Sequence, residues 1–439
     1  MQAVIQAGGK GTRLSAITKN EIPKPMVEVA GKPLLEHQIE VLKKNGVTDI
    51  ILVIGHLGHV IKDYFQDGAR CGVSIKYVEE KNLLGTAGCF YFLKSQLTES
   101  DFMFVYADLL FDIDVDRMLE FHHRHESMAT LFVHPNSHPF DSDLVITGDD
   151  DRVISFNPKG TPRTDWYENI VNAGLFIFNK KICDYVEQNE NLALEKGLLN
   201  RVLSEGEPVY AYRSSEYVKD VGTVERLQGG WQDMERGFIA KRNLHEPQKC
   251  IFLDRDGTLN ILNGLIDCEE KFHLEQGAIE AVKMLNASGW LAIVVTNQPV
   301  VARGMCSMDK VQSINRKMQT QLGEKGAYVD DIIFCPHHPD KGYPEENPAY
   351  KIVCDCRKPK TGMIDVMVQK YNIDLSKSWL VGDSTVDIQT AKNAGLKSCL
   401  VSTGEAGKDG KYIVEADLYA KNVCEGIEKI LKGEQYVSE

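Results

Sequence analysis

The sequence predicts an α/β protein of two doubly wound domains, each a mostly parallel sheet with helices on both faces. Three observations predict it. At 439 residues the chain exceeds what one hydrophobic core usually serves, and a 43% hydrophobic share can fill two cores. Apolar runs of strand length alternate with helical patterns in both halves. Several of those runs end abruptly in carboxylates or other polar residues, and in an open α/β sheet that is where ligands bind.

In the first half, residues 3–6 read as a buried strand that enters Gly8-Gly9-Lys10-Gly11-Thr12-Arg13-Leu14. Backbone N–H groups in such a turn can cradle phosphate, with Lys10 and Arg13 adding charge-assisted bonds. The spacing matches neither a dinucleotide fingerprint nor a P-loop. Pro23-Lys24-Pro25-Met26 then isolates one lysine between two stiffening prolines. A helix over 34–45, a strand over 50–55, a helix over 60–65 and a strand over 73–78 complete the alternation. The polar loop 79–88 contains Gly85-Thr86-Ala87-Gly88, whose glycines permit close approach to a flat ligand such as a base. A strand over 102–106 follows and is capped by Asp108. The small acidic cluster at 149–151 reads as a solvated turn.

These stretches, together with Asp220-Val221-Gly222-Thr223, resemble the sugar-1-phosphate nucleotidyltransferases over most of residues 1–230. The resemblance implies a GT-A-like, Rossmann-like domain. It implies that Gly8, Gly9, Gly11, Thr12 and Arg13 hold a nucleoside triphosphate and that Lys24 contacts its phosphates. Gly85 and Thr86 would border the base, and Asp108 with Asp220 would bind magnesium. Asn172, Gly174, Glu195 and Lys196 match segments that face the sugar, although Glu195 and Lys196 equally read as an exposed helix pair. Ala107 and the run Asn157-Pro158-Lys159 depart from the family pattern.

Residues 231–248 form a joining segment, helical at first and then polar around Pro247. The second domain is expected over 249–433. Its first strand, from Cys250 to Leu253, ends in Asp254 and Asp256, which leave the strand toward one side because they are spaced i, i+2. Gly257 allows a tight turn and Thr258 can hydrogen-bond it. Paired carboxylates suit magnesium-assisted phosphoryl transfer, one attacking phosphorus and the other moving the leaving-group proton.

This stretch resembles the first motif of the haloacid dehalogenase superfamily, Asp-x-Asp-Gly-Thr. The resemblance implies Asp254 as nucleophile and Asp256 as general acid/base. Thr296-Asn297-Gln298 after a strand over 291–295 matches the second motif, which binds the transferring phosphoryl group. Lys358 is placed as the third-motif lysine. Gly382-Asp383, with Asp387 beyond it, matches the acidic fourth motif, so magnesium would be held by Asp254, Asp256 and Asp383.

Between the motifs, Cys335-Pro336-His337 and Cys354-Asp355-Cys356 offer three thiolates and one imidazole, a closed shell for a structural zinc. Arg357 and Lys358 follow the last ligand, so the metal would also aim cations at substrate phosphate. The zinc loop narrows the resemblance to heptose bisphosphate and histidinol phosphate phosphatases. Asp267, Gln276-Gly277 and Ala302-Arg303-Gly304 resemble the heptose group, with Arg303 implied in substrate binding. Pro299-Val300 departs from it.

A net charge of −13 excludes a general attraction to nucleic acid or anionic membranes. Small sugar phosphates and a nucleoside triphosphate are the expected partners. No apolar stretch reaches membrane-spanning length, and most of the 11 cysteines stand alone in apolar contexts, so the expected location is the cytoplasm. The combined expectation is a bifunctional enzyme. It removes the 7-phosphate of D-glycero-D-manno-heptose 1,7-bisphosphate and then transfers a nucleotidyl group, GMP from GTP, to heptose 1-phosphate. The alternatives are a mannose-1-phosphate guanylyltransferase joined to a histidinol-phosphate-type phosphatase, and a phosphatase regulated by an inactive sugar-nucleotide-binding domain.

Overall fold

The computed structural model describes residues 1–9, 14–80, 82–148 and 150–435. Lys10, Gly11, Thr12, Arg13 and Asp149 therefore lie outside the described residues. The chain divides into two compact units. The first comprises Met1–His134, Asp143–Pro158 and Ile170–Asn243, and the second comprises Pro135–Ser142, Lys159–Asn169 and Leu244–Glu439.

The first unit is built on a nine-stranded sheet. Asp101–Tyr106, Gln2–Gln6, Asp49–Ile54 and Ser74–Glu79 run parallel in that order. Almost every side chain of the strand Asp49–Ile54 is buried, as expected where helices cover both faces. Beyond Asp101–Tyr106 the expected parallel order ends, because Val171–Asn179 pairs with it antiparallel. Antiparallel neighbours need no crossover helix, and the intervening chain supplies further strands instead. The strand Val171–Asn179 also begins before Asn172, so Asn172 and Gly174 lie within it. Its Phe176 and Phe178 are fully buried and pack beside Phe104 and Phe90. Burial of each such ring contributes about 1.5–3 kcal/mol.

A separate ribbon pairs Leu109–Asp112 with Tyr217–Asp220 antiparallel, with Leu109 opposite Asp220. This register brings Asp108 and Asp220 together across the sequence. The joining segment forms two helices, Val224–Glu235 and Phe238–Lys241, broken at Gly237, whose φ of 65° is left-handed. Both belong to the first unit.

The second unit carries a six-stranded, wholly parallel sheet. Its order is Asp331–Cys335, Leu291–Asn297, Cys250–Leu253, Trp379–Gly382, Lys397–Val401, Leu418–Ala420. The first strand in sequence is Cys250–Leu253, and the order reverses direction there. Its carboxyl end is therefore the topological switch point, the place where a doubly wound sheet opens a crevice for ligand. Asp254 follows that strand immediately.

Two excursions from the first half of the sequence complete the second unit along its helix Met308–Glu324. The Asn169 amide donates to Gln319 Oε1 at 2.9 Å and its side chain to the Asn136 carbonyl at 2.8 Å. The Tyr167 amide donates to Thr320 Oγ1 at 3.0 Å, and Lys317 lies over the Trp166 ring at 5.5 Å. Those contacts explain why Lys317, Gln319 and Thr320 are buried although polar. Among the described residues no helix is long and apolar enough to cross a membrane.

Candidate active sites

In the first unit the isolated lysine is the centre. Pro23 precedes a single 3-10 turn, Lys24–Met26, that buries all three of its residues. Lys24 Nζ lies 2.5 Å from Asp108 Oδ2 and 3.9 Å from Asp220 Oδ1. The Val221 amide donates to the Asp108 carbonyl at 2.9 Å, closing the two strand ends together. Arg226 donates to Asp220 Oδ2 at 2.8 Å, and the Gly222 amide donates to its Oδ1 at 2.6 Å. Two carboxylates so placed and held partly neutralised would suit a hard cation.

Gly8 and Gly9 follow the strand Gln2–Gln6, and Gly8 lies against Gly55 and Glu80. A Cβ on Gly8 would stand 2.9 Å from Glu80 Oε2, whereas one on Gly9 would meet open space. Glu80 was not singled out from the sequence. Burial pushes its carboxyl up to about 7, against a weaker lowering by Gln6, and its Oε1 is buried without a hydrogen-bond partner among the described residues.

The glycines of loop 85–88 are required by packing within the chain. A Cβ on Gly85 would overlap the Leu192 carbonyl, and one on Gly88 would overlap Leu84 and the Glu190 carbonyl. Close packing of the chain on itself therefore requires them. Thr86 Oγ1 accepts from the Leu194 amide at 2.7 Å and pins the turn Leu194–Leu199. Within that turn Glu195 and Lys196 part ways. Glu195 Oε1 accepts from the Tyr106 hydroxyl at 2.9 Å and from Asn172 Nδ2 at 3.2 Å, and burial raises its pKa. Lys196 is exposed. The pair is thus not an exposed helix face. Gly174 has a φ of +80° and lies against the Tyr106 ring, where a Cβ would clash. Lys159 belongs to a segment of the second unit.

In the second unit the four motifs meet at the switch point. Lys358 Nζ is 2.7 Å from Asp254 Oδ1, 2.5 Å from Asp387 Oδ1 and 3.0 Å from the Val295 carbonyl. Asp254, Asp383 and Asp387 are all buried, with carboxylate oxygens within 4.8 Å of one another. Burial raises the pKa of Asp254, and Asp387 and Asp256 add to the rise while Lys358 opposes it. Asp383 is raised by burial and then by Asp254 and Asp387. Three carboxylates around one ammonium leave negative charge in excess when all ionise. That donor set fits a divalent cation.

Asp256, expected as a third magnesium ligand, is not part of this cluster. Its Oδ1 and Oδ2 accept from Arg255 Nε and Nη2 at 3.0 and 3.1 Å, and Oδ2 also accepts from Gln298 Nε2 at 2.7 Å. Arg255 is fully buried and donates onward to Asn315 at 2.9 Å. Asp387 takes the third place because it opens the helix Thr385–Ala394 in a capping box with Ser384. Thr296 Oγ1 accepts from Gln298 at 3.0 Å. Asn297 exchanges two hydrogen bonds with the backbone of Lys358, at 3.0 and 3.1 Å, and so fixes that lysine.

Cys335, His337, Cys354 and Cys356 converge as a second cluster, their ligand atoms within 4.8 Å of one another. The sulfurs stand 3.1–3.5 Å apart, slightly inside the ~3.8 Å edges of a tetrahedron around zinc. His337 Nδ1 faces Cys356 Sγ at 3.3 Å. His338 turns elsewhere, accepting from the Asp340 amide at 3.2 Å. Arg357 donates to the His337 carbonyl at 3.0 Å, so the cluster and the cleft cations form one piece. Arg303 stacks over the Tyr343 ring at 4.3 Å. Val300, where the expected pattern differs, is fully buried with Val301 and Val311.

Each half of the chain resembles known proteins. The nucleotidyl transferase family matches residues 2–236, and the HAD-hydrolase-like family matches residues 355–426. A D-glycero-beta-D-manno-heptose-1,7-bisphosphate 7-phosphatase from Pasteurella multocida is 39% identical over 189 residues, 42% of this chain and 98% of its own length. A mannose-1-phosphate guanylyltransferase from Mycobacterium tuberculosis is 32% identical over 240 residues, 54% of this chain and 66% of its own length. The crystal structure of HddC from Yersinia pseudotuberculosis covers 53% of this chain and 99% of its own, with 25% identity and a TM-score of 0.47. The chain belongs to the nucleotidyl transferase family in its first half and to the HAD-type phosphatases in its second. It is an enzyme that fuses the two activities.

Proposed function

We propose that the phosphatase half removes the 7-phosphate of D-glycero-D-manno-heptose 1,7-bisphosphate and that the transferase half then joins heptose 1-phosphate to GMP from GTP, releasing pyrophosphate. The observation that carries this reading is the pairing, in one chain, of the Lys358–Asp254–Asp387 centre with the Lys24–Asp108–Asp220 centre. The heptose bisphosphate phosphatase relative supports the first substrate, and the mannose-1-phosphate guanylyltransferase relative supports a manno-configured sugar and a guanine nucleotide for the second.

In the phosphatase, an Asp254 oxygen attacks phosphorus and forms an acyl phosphate as the sugar oxygen leaves. Asp256 supplies that oxygen's proton, then takes one from the water that splits the acyl phosphate to inorganic phosphate. Arg255 and Gln298 orient Asp256. Lys358 offsets the charge of Asp254 and of the phosphoryl group, and Thr296, Asn297 and Arg357 border the place where that group lies. Asp254, Asp383 and Asp387 would hold magnesium, which supplies charge neutralisation at the phosphoryl oxygens. Cys335, His337, Cys354 and Cys356 would hold a structural zinc that keeps Arg357 and Lys358 in register.

In the transferase, a sugar-1-phosphate oxygen attacks the α-phosphorus and pyrophosphate leaves. Gly8, Gly9, Gly11, Thr12, Arg13 and Lys24 bind the triphosphate, and Asp108 with Asp220 would hold magnesium. Asn172, Gly174, Glu195 and Lys196 border the sugar. Glu80 supports guanine in particular. A half-buried carboxylate beside Gly8, with one oxygen unpartnered among the described residues, accepts adjacent N–H donors, and the N1–H and N2–H2 groups of guanine are such a pair.

The test is phosphorus NMR with mass spectrometry on one tube of protein, magnesium, GTP and each heptose 1,7-bisphosphate anomer in turn. Phosphate, pyrophosphate and GDP-heptose are the expected products, and absence of both activities with either anomer would overturn the substrate assignment.

A further inference from the structure

Several cations border the cleft beside the phosphatase centre. It is a cavity of about 330 Å³ bordered by Asn297, Arg357, Lys358 and Lys360 and, from a different loop, by Lys411 and Tyr412. Most of these cations are already engaged. Lys358 is held between Asp254 and Asp387, Lys360 pairs with Asp355 at 3.0 Å, and Arg357 donates to the His337 carbonyl. The Lys411 ammonium is exposed and has no ion pair or hydrogen bond among the described residues.

Its loop is nevertheless anchored to the reaction centre. Thr403 Oγ1 donates to the Gly257 carbonyl at 2.7 Å, and the Glu405 amide donates to Asp383 Oδ2 at 2.7 Å. The Gly407 amide donates to the Asp383 carbonyl at 2.8 Å. Farther along, Asp409 accepts from the Thr385 amide and hydroxyl at 2.7 and 2.8 Å, and the Tyr412 amide donates to the same hydroxyl at 3.1 Å. Gly404, at φ +55°, packs so tightly on Asp383 that a Cβ would collide with it. Lys411 thus projects from a backbone tied on both sides to the turn bearing Asp383 and Thr385. Its base is fixed and its charge is uncommitted.

We propose that Lys411, with the partly exposed ring of Tyr412 beside it, receives the second, uncleaved phosphate of a sugar bisphosphate and makes the cleft select bisphosphates over monophosphates. This deepens the phosphatase reading above and rests on it. Ammonium and phosphate form a charge-assisted hydrogen bond, and the tyrosine ring offers an apolar face to the C–H side of a sugar.

The test compares full-length wild type, Lys411→Ala and Lys411→Arg on heptose 1,7-bisphosphate and on p-nitrophenyl phosphate. In Lys411→Ala the ratio of the two kcat/KM values should fall about tenfold in disfavour of the bisphosphate, through KM for the bisphosphate, as expected for one lost charge-assisted bond. Lys411→Arg should restore most of it. An unchanged ratio, with wild type hydrolysing the bisphosphate, would overturn the role of Lys411 alone. Wild type that hydrolyses p-nitrophenyl phosphate but not the bisphosphate would overturn the substrate reading and this inference together.

Discussion

The ammonium of Lys358 stands 2.7 Å from Asp254 Oδ1, though 104 positions separate the two in sequence. Both are buried, so each is the other's principal compensation. Burial alone would drive the lysine toward its neutral form, but Asp254 and Asp387 reverse this and raise its pKa. Lys358→Met should therefore cost more than activity. It leaves two buried carboxylates without their cation, worth about 3–5 kcal/mol if they stay ionised, and urea unfolding at neutral pH measures the loss. Asp254→Asn should abolish phosphate release yet spare pyrophosphate formation from supplied heptose 1-phosphate. Loss of both reactions would contradict two separate centres.

Asp108→Asn should do the reverse. Removing one charge from the Lys24–Asp108–Asp220 group should slow pyrophosphate formation by roughly 10²-fold or more, the scale of a lost electrostatic contact in a phosphoryl-transfer site. Phosphate release should stay at the wild-type rate. A transferase rate that does not move would remove Asp108 from the site.

Zinc analysis of protein purified without added metal should find about one equivalent per chain, as a closed four-ligand site requires. Cys356→Ser should lose that metal and lower the melting temperature, because His337, Cys354 and Cys335 would retain only three ligands. Fully folded, active protein without zinc would refute the structural role.

Glu80 predicts a pH dependence with a definite sign. Its carboxyl is raised from 4.5 to about 7 by burial, so between those values the folded state binds more protons than the unfolded state. Its effect on stability is most favourable below about 4.5 and is lost as pH rises through 7. Glu80→Gln should flatten this part of the stability curve in urea titrations. The same variant should narrow the preference for GTP over the other triphosphates, and retention of both the slope and the preference would count against the assignment.

Asn169→Ala should weaken the second unit although it lies far from Leu244 in sequence. It removes the donor to the buried Asn136 carbonyl at 2.8 Å and the acceptor of the Asn136 amide at 3.2 Å. An unsatisfied buried group costs about 1–3 kcal/mol. Calorimetry should show the loss in the transition of the phosphatase unit, and an unshifted transition would refute it.

The sequence by itself determined the α/β class, both enzyme families and the strand-end carboxylates, because each is written locally. An apolar run followed by Asp254-Arg255-Asp256-Gly257-Thr258 specifies a strand and its turn from neighbours alone, and the isolated Lys24 is legible for the same reason. The place of His337 was also legible, since the Cys-x-His spacing sets its ring beside the sulfurs. What the tertiary structure decided depends on contacts between distant segments. Asp256 turns to Arg255 and Gln298 while Asp387 joins Asp254 and Asp383, a choice made by side-chain partners that no spacing encodes. Gly85 answers to Leu192, about a hundred positions away, and Glu195 turns inward because Tyr106 and Asn172 offer donors. The excursions Pro135–Ser142 and Lys159–Asn169 joined the second unit because buried polar groups on the helix Met308–Glu324 needed partners, and only the folded chain could supply them.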